Sequence, residues 1–270
     1  MRQVPASKCP GGCAPTVTPP GRSPMARSEQ VVATTADNMS VRTETQEASK
    51  RRSMAVLVSG GLDSSVLLAE LVCRGNAVQP IYVRSGLRWE AVERYWLRRF
   101  LRALRAPRLQ RLTELTLPVS DVYGAHWSIS GKGTPGYDAP LDSNYLPGRN
   151  LLLLSKAAVF CAQHDIAAIA LAVLRDNPFA DGTPEFFRRF AATARCAFRV
   201  PFEVRTPFRR LSKSAVIRRA QSLPLHLTFS CVQPSGRLHC GTCTKCAERK
   251  RGFQLAGVLD PTRYGSRPRG

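Results

Sequence analysis

One string in the N-terminal half of the chain constrains the fold more than any other. Four apolar residues at 55–58 are followed by Ser-Gly-Gly-Leu-Asp-Ser-Ser at 59–65 and then by apolar residues at 66–68. A short apolar run, a tight glycine turn and an apolar helix start are typical of a buried strand that leads into a helix. Such a unit belongs in a parallel sheet that is covered by helices on both faces.

Strand-like and helix-like segments alternate from residue 54 to about residue 221. The predicted strands are 55–58, 78–83, 112–117 and 166–173, and the predicted helices are 64–73, 89–104, 150–163, 185–195 and 213–221. This pattern predicts an α/β domain with a doubly wound parallel sheet over residues 53–229. In such a sheet ligands bind at the carboxyl ends of the strands. The irregular stretch at 120–149 is typical of a functional loop.

Residues 1–52 differ from the rest of the chain. They are rich in Pro, Gly, Ser and Thr and carry no apolar periodicity, so we expect a disordered extension in which Cys9 and Cys13 are inert thiols. Met25 and Met54 are alternative starts. No apolar run approaches the roughly 20 residues of a membrane span, and the first residues lack the apolar core of a signal peptide. These features predict a cytoplasmic protein with no membrane partner.

The chain is strongly basic. Its 40 Lys and Arg residues exceed its 19 Asp and Glu residues and give a formal charge of +21. A charge of this size attracts polyanions, so binding of a nucleic acid stays open as a second hypothesis. It is not favoured, because much of the arginine stands in predicted helices, where solvated basic faces are common.

The glycine turn has the composition of a phosphate cradle. Its glycines let backbone N–H groups approach an anion, the helix that follows adds partial positive charge, and its serines supply hydroxyl donors. An ordinary capped turn is the alternative. The string lacks the Gly-Lys-Ser/Thr ending of a Walker A loop, which disfavours γ-phosphate transfer. The predicted nucleotide-binding residues are Ser59, Gly60, Gly61, Leu62, Asp63, Ser64 and Ser65.

Four cysteines near the C-terminus have the spacing of a metal site. Cys231, Cys240, Cys243 and Cys246 supply four thiolates, which suits tetrahedral Zn²⁺ with a structural role. An iron–sulfur cluster and free thiols are the alternatives. His239 is expected to be a neighbour and not a ligand. The spacing predicts a small zinc-binding segment over residues 230–270, to whose folding the metal contributes.

Three motifs together carry a family resemblance. Ser-Gly-Gly-Leu-Asp-Ser at 59–64 resembles the signature loop of PP-loop ATP pyrophosphatases. Pro-Gly-Arg-Asn at 147–150 and the four-cysteine set follow in the order found in 7-cyano-7-deazaguanine synthases, which the chain resembles over about residues 54–264. The loop alone indicates only the superfamily, whereas the three motifs in this order are more specific.

The resemblance implies an adenylating ligase that uses ATP, Mg²⁺ and Zn²⁺. AMP would be attached to the carboxylate of 7-carboxy-7-deazaguanine, ammonia would give the amide, and a second adenylation would give the nitrile. The implied catalytic residues are Asp63 near the metal, Arg149 as a charge-neutralising group and Lys213 as a phosphate contact. Asn150 either orients a ligand or caps a helix, and the alternative for Lys213 is an exposed lysine at a helix start.

The chain also departs from the family pattern in two strings. After the second predicted strand it has Val-Arg-Ser-Gly-Leu-Arg-Trp at 83–89, of which only Gly86 and Arg88 match the family. A second altered string at 171–181 contains Asp176 and Asp181, which would either contact the substrate or metal or form turns. The chemistry is therefore predicted more firmly than the substrate, and a paralogue that uses a related carboxylate stays open.

Two further function classes are alternatives to this one. A PP-loop enzyme that modifies tRNA fits the charge, but thiolation would need paired cysteines, whereas Cys73, Cys161 and Cys196 occur singly. A non-catalytic nucleotide-binding or nucleic-acid-binding protein is disfavoured by the intact glycine loop. No glutaminase segment is recognisable, so ammonia would arrive free or from a partner, and a homo-oligomer is left open.

Overall fold

The sheet lies at the centre of the computed structural model, which describes residues 53–265. The predicted extension at 1–52, with Cys9 and Cys13, lies outside the described residues. The strands are β1 (Ser53–Leu57), β2 (Ala77–Arg84), β3 (Thr113–Thr116), β4 (Ala168–Ala170) and β5 (Glu203–Arg205). Within the described range they form one sheet in the order β3-β2-β1-β4-β5, and every neighbouring pair is parallel. The predicted α/β fold with a doubly wound parallel sheet is confirmed.

Helices of very different length connect the strands. They are α1 (Leu62–Cys73), α2 (Glu90–Leu104), α3 (Ser120–Tyr123), α4 (Trp127–Ser130), α5 (Arg149–Gln163), α6 (Pro184–Phe198), α7 (Lys213–Arg219) and α8 (Thr244–Ala256). Short 3₁₀ turns lie at Leu141–Asn144, Ala180–Gly182 and Leu225–Leu227. Among residues 53–265, no helix has both the length and the apolar character that crossing a membrane requires.

Strand β1 divides the core into two apolar layers. Successive side chains of a strand point to opposite faces, so Met54 and Val56 pack with α1, α2, α7 and α8, whereas Ala55 and Leu57 pack with α5 and α6. Both faces of the strand are buried. This explains why β1 is a continuous apolar run with no polar alternation.

The order of the strands reverses beside β1. The chain passes outward from β1 to β2 and β3, and later returns to place β4 on the other side of β1. Helices that leave β1 and β4 therefore cover opposite faces, and a crevice is left at the carboxyl ends of these two strands. The glycine loop at 59–61 begins in this crevice.

The elements missed from the sequence include the short helices α3 and α4, inside the stretch predicted to be irregular, as well as strand β5 and helix α8. Strand β5 has two charged residues, Glu203 and Arg205, which form an ion pair on the exposed edge of the sheet. Only Val204 packs against the core, so the apolar signal of the strand is weak. Helix α8 is rich in Lys, Arg and Glu, yet it buries Phe253 in the same core layer as α1.

Candidate active site

Gly60 fixes the path of the glycine loop. Its φ angle is +74°, in the left-handed region that residues with a side chain seldom adopt. A Cβ atom at this position would lie 2.9 Å from the Glu93 carbonyl oxygen and 3.2 Å from Leu97 Cβ, both on α2. The Gly60 carbonyl accepts a hydrogen bond of 2.7 Å from Phe229 N. The loop is therefore held between α2 and the start of the cysteine-containing segment.

Serine hydroxyls close the loop on itself. Ser59 N donates to Ser64 Oγ over 3.2 Å, the two hydroxyls lie 3.3 Å apart, and Gly61 N donates to Ser59 Oγ over 3.2 Å. The Ser65 hydroxyl is buried and has no hydrogen-bond partner within residues 53–265. These hydrogen bonds stabilise the turn of the loop. Five of the predicted loop residues line the main cavity: Ser59, Gly61, Leu62, Asp63 and Ser64.

Lys213 lies beside this loop. It is the first residue of α7, where Ser212 accepts a capping hydrogen bond from Ala215 N. Lys213 Nζ lies 2.5 Å from Asp63 Oδ2 and 2.8 Å from Glu248 Oε1. Burial opposes the charged form of Lys213, but the two carboxylates outweigh it and raise the pKa of its ammonium. Lys213 is thus a fixed cation of the cavity and not the exposed lysine of the alternative prediction.

Asp63 uses only one of its carboxylate oxygens. Oδ2 binds Lys213, whereas Oδ1 is buried and has no hydrogen-bond partner within the described part of the chain. A buried acceptor without a partner is costly, so this oxygen suits a cation or a donor brought by a ligand. Glu248, the other partner of Lys213, also pairs with Lys245.

Arg149 and Asn150 begin α5 on another wall of the cavity. Gly148, with a φ of +63°, turns the chain into this helix, and Arg149 lines the cavity. Asn150 N donates to Asp181 Oδ2 over 2.8 Å, and its side-chain amide donates to the Asp181 carbonyl over 3.0 Å. Asp181 therefore caps α5 and ties it to the 3₁₀ turn at Ala180–Gly182. Asp176, from the same altered string, lines the cavity and pairs with Arg175 at 3.0 Å.

Glu93 and Tyr82 form another wall of the cavity. Glu93 accepts a hydrogen bond of 2.8 Å from the Tyr82 hydroxyl, and both residues line the cavity. Burial raises the pKa of Glu93 to about 7, although the Arg149 charge and the Tyr82 hydrogen bond oppose the shift. Sequence reasoning missed both residues. The available signal was a pair of glutamates, Glu90 and Glu93, in the first turn of an otherwise basic helix.

The cavity brings the predicted catalytic residues together. Asp63, Arg149 and Lys213 come from three different helices and line one cavity of about 890 Å³. Leu57, Val83 and Leu171 also line it, so it lies at the carboxyl ends of β1, β2 and β4, as the strand order leads us to expect. Such a volume is within the range of ligand pockets.

The four predicted metal ligands also meet in space. Their ligand atoms lie within 4.8 Å of one another, and all four residues are buried: Cys231, Cys240, Cys243 and Cys246. Two of the Sγ–Sγ distances are 3.8 and 3.9 Å. Backbone N–H groups of Gln233, Gly241 and Thr242 donate to these sulfurs at 3.3 to 3.4 Å, as expected for thiolates. This cluster of cysteines has the geometry to hold one metal ion.

His239 lies next to the cysteine cluster but does not belong to it. Its Nε2 accepts a hydrogen bond of 3.1 Å from Ser230 N, and its ring packs 4.6 Å from that of Phe229. Burial, together with the nearby Arg249 charge, lowers the pKa of His239 to about 3. The imidazole therefore stays neutral and links the cluster to Phe229, which binds Gly60.

The cluster also positions α8. Cys243 immediately precedes this helix, and Thr244 Oγ1 donates to Asn144 Oδ1 over 2.7 Å, which fastens the long loop at 120–148. One turn later, Glu248 reaches Lys213 in the cavity. A metal centre at the cysteines would thus fix two walls of the cavity from outside it.

Comparisons with known proteins establish the family. A 7-cyano-7-deazaguanine synthase of Syntrophobacter fumaroxidans is 34% identical over 238 residues, which cover 79% of this chain and 97% of the relative. The enzyme of the same name from Anaeromyxobacter dehalogenans is 32% identical over 228 residues, which cover 80% and 97%. Residues 53–257 match the family described as queuosine biosynthesis protein QueC. The chain therefore belongs to the QueC family.

Proposed function

We propose that this chain is an ATP-dependent carbon–nitrogen ligase that converts 7-carboxy-7-deazaguanine and ammonia into 7-cyano-7-deazaguanine and releases AMP. The family supports the substrate class. The observation that carries the proposal is the pairing of Lys213 with Asp63 beside the glycine loop, inside a cavity of about 890 Å³. A cavity of this size has room for a nucleotide and a small acid together.

The loop is suited to pyrophosphate, the leaving group of adenylation. Helix α1 starts at Leu62, and Gly61 caps it without any side-chain hydrogen bond. The N–H groups and partial positive charge of this helix end favour an anion, and the Ser59 and Ser64 hydroxyls add donors. Lys213 supplies a full positive charge on the same side, which stabilises the charge that develops on the departing phosphates.

Asp63 is the residue proposed to hold Mg²⁺. Magnesium prefers carboxylate and phosphate oxygens, and Asp63 Oδ1 is a buried carboxylate oxygen with no partner among residues 53–265. When bound, the ion would neutralise charge on the phosphate oxygens of ATP. The hydrogen bond from Lys213 Nζ to Oδ2 orients this carboxylate.

Arg149 is proposed to act on the acid side of the reaction. Its guanidinium is always charged and pairs well with carboxylate or phosphate oxygens. The aromatic side chains of Trp127 and Phe179 line the same cavity and offer apolar surface to a planar heterocycle. This arrangement would place the substrate carboxylate near the α-phosphate of ATP and limit hydrolysis of the adenylate.

We propose that the cysteine cluster binds structural Zn²⁺. A tetrahedral ion with Zn–S distances of about 2.3 Å separates its sulfurs by about 3.8 Å. The Sγ–Sγ separations of 3.8 and 3.9 Å fit a single ion, and the space between the sulfurs is too small for the core of a polynuclear iron–sulfur cluster. Four protein ligands leave no position for a water nucleophile, so the metal holds structure.

The test is a product analysis. Purified protein is incubated with MgATP, ammonium and 7-carboxy-7-deazaguanine, and the small molecules are identified by mass spectrometry. We expect the nitrile together with AMP and pyrophosphate. If AMP forms only with another acid, or only with tRNA, the proposed adenylation chemistry is right and the proposed substrate is wrong. Absence of AMP under every condition would contradict an enzymatic function.

A further inference from the structure

The buried acidic wall of the cavity has no role in the chemistry described so far. Glu93 and Glu90 stand in the first turn of α2, and both are only 8% exposed. Ionised carboxylates are costly to bury, so each needs partners or a function. The wall directly adjoins the glycine loop, because the Glu93 carbonyl packs against Gly60.

Glu90 has the partners that a buried carboxylate needs. Its Oε1 accepts from Arg84 Nε at 3.1 Å, and its Oε2 accepts from Gly86 N at 2.7 Å. These bonds hold the turn that follows β2. Glu90 therefore has a structural role.

Glu93 is left with acceptor capacity toward the cavity. It accepts one hydrogen bond of 2.8 Å, from the Tyr82 hydroxyl, whereas an ionised carboxylate accepts about four. Its positive neighbour is Arg149, which contributes charge but no hydrogen bond to Glu93 among the described residues. At least one site on Glu93 is therefore available to a donor from a ligand.

The chemistry of this wall selects against an anion. A carboxylate beside the phosphate loop would repel ATP or the acid substrate, but it would attract a cation with N–H donors. The neighbouring side chains are aromatic, since Trp89 stacks on Trp127 with 5.6 Å between ring centroids and Tyr82 donates a hydrogen bond to Glu93. A carboxylate with aromatic rings around it is a good site for a small ammonium ion.

We propose that Glu93 forms an ammonium-binding subsite, with Tyr82 and Trp89 around it, and removes a proton from the bound ammonium. This inference rests on the proposed function, because it assigns the cosubstrate of that reaction a place in the cavity. Glu93 would be a catalytic residue, since its carboxylate touches the nucleophile. Tyr82 would be a positioning residue that orients Glu93.

The proposed step balances in protons and charge. Ammonium transfers one proton to the Glu93 carboxylate and becomes ammonia. The nitrogen lone pair then forms a bond to the acyl carbon of the adenylate, and the bond from this carbon to the AMP oxygen breaks with its electron pair on AMP. The second proton leaves the nitrogen with the AMP phosphate. The products are the amide, protonated AMP and neutral Glu93, which returns its proton to water.

The groups that face Glu93 determine its proton affinity. They are Tyr82 from β2, Glu90 and Trp89 from the start of α2, and Arg149 from α5. Burial and Glu90 raise the pKa of Glu93, whereas Arg149, Tyr82 and Trp89 lower it, and the result is about 7. A general base works best when its pKa lies near the working pH, so Glu93 matches this role.

The experiment separates adenylation from attack by ammonia in Glu93→Gln. Glutamine keeps the shape of the side chain and can accept from Tyr82, but it takes no proton. In this variant kcat/KM for ammonium is expected to fall by about a hundredfold, far more than the rate of acid-dependent ATP–pyrophosphate exchange measured without ammonium. Hydroxylamine, which is largely uncharged at about pH 8, should restore the rate because it needs no base. Glu114→Gln, outside the cavity, is the control.

The pH profile gives a second readout. Wild-type kcat/KM for total ammonium should level off above about pH 7, whereas that of Glu93→Gln should keep rising with the fraction of free ammonia. Tyr82→Phe removes a hydrogen bond that lowers the Glu93 pKa, so its profile should shift to higher pH. Exchange that falls in Glu93→Gln as far as the ammonium-dependent rate, or unchanged ammonium kinetics, would overturn the inference. Absence of exchange in the wild type would instead contradict the proposed function.

Discussion

Lys213 on α7 and Asp63 on α1 form an ion pair at the carboxyl end of the sheet, with 2.5 Å between Nζ and Oδ2. The two residues are 150 positions apart in the chain. Glu248 on α8 binds the same ammonium group at 2.8 Å. Side chains from three helices therefore meet at the Lys213 ammonium beside the glycine loop. Loss of this ammonium should affect both the loop and α8.

Replacing Lys213 with methionine tests this charge. The variant Lys213→Met keeps most of the side-chain length but leaves Asp63 and Glu248 without their shared partner. We expect acid-dependent ATP–pyrophosphate exchange to fall by about a hundredfold or more, because a fixed charge aimed at the leaving group is lost. Lys156→Met, at an exposed position of α5, is the control. If Lys213→Met exchanged pyrophosphate at the wild-type rate, the proposed contact of Lys213 with phosphate would be contradicted.

Gly60→Ala tests the packing of the glycine loop. A Cβ at Gly60 would lie 2.9 Å from the Glu93 carbonyl, whereas Gly75, with a φ of +81°, has no atom within 4 Å of its Cβ position. Gly75→Ala is therefore the control. Both Gly60→Ala and Gly75→Ala carry the cost of the left-handed conformation, about 1 kcal/mol. Only Gly60→Ala adds a backbone clash, so it should lower the free energy of unfolding by about 1–2 kcal/mol more and abolish exchange. If urea unfolding gave the same loss of stability for Gly60→Ala and Gly75→Ala, the close approach of Gly60 to the Glu93 carbonyl would be contradicted.

Cys243→Ser tests the metal centre. The change removes one of four ligands, and we expect the metal content to fall from about one ion per chain and the midpoint of thermal unfolding to drop by about 10 °C or more. Cys196→Ser, at an exposed position of α6, should change neither quantity. The measurements are elemental analysis and thermal denaturation. Full metal content in Cys243→Ser would show that the cluster does not bind the ion.

The local parts of the site could be predicted from the sequence. The turn at 59–61 needs glycine for steric reasons, the apolar run before it needs burial, and closely spaced cysteines can reach one ion, so each signal lies within a few residues. The proposed catalytic residues Asp63, Arg149 and Lys213 were predicted from the family resemblance. The structure brings all three into one cavity.

The remaining parts depend on contacts between distant segments. Glu248 gave no local signal, because its partner Lys213 lies in another helix. Asn150 was predicted to orient a ligand or to cap a helix, but its partner Asp181 became evident only when α5 met the 3₁₀ turn. In the sequence, Glu93 looks like an ordinary acidic residue at the start of a helix. Only the fold shows that Tyr82 on β2 donates a hydrogen bond to it. Burial turns these common residues into components of the site, and burial is a property of the fold.

Arg249 is a buried cation that holds the C-terminal segment to the main domain, and Arg249→Lys tests it. The guanidinium donates to Leu225 O at 3.0 Å, to Thr262 Oγ1 at 2.6 Å and to Ser230 Oγ at 3.3 Å. Lysine cannot reproduce the planar arrangement of guanidinium donors, so some of these three acceptors would stay buried without a donor. We therefore expect the free energy of unfolding to fall by about 2–4 kcal/mol. Arg218→Lys, which removes an exposed bond to a carbonyl, should cost at most about 0.5 kcal/mol.

The pH dependence of stability gives a last test, on Glu93. Burial, against the opposing Arg149 charge, raises the folded-state pKa of Glu93 from 4.5 to about 7, so the folded state holds this proton more tightly than the unfolded state. The resulting contribution to stability is complete below about pH 4.5 and is lost as the pH rises through about 7. The lost contribution amounts to about 3 kcal/mol at most. Glu93→Gln has no such dependence, so its stability relative to the wild type should increase over this range.

Glu114→Gln should show the opposite trend in the same urea-unfolding series. Burial opposes ionisation of Glu114, but Arg94 and Arg98 outweigh it and lower the pKa of this carboxyl. Its contribution to stability is therefore present near neutral pH and is lost as the pH falls, so Glu114→Gln should be least stable relative to the wild type near neutral pH. Parallel trends in the two variants would mean that Glu93 is ionised and paired in the folded state, which would contradict its raised pKa.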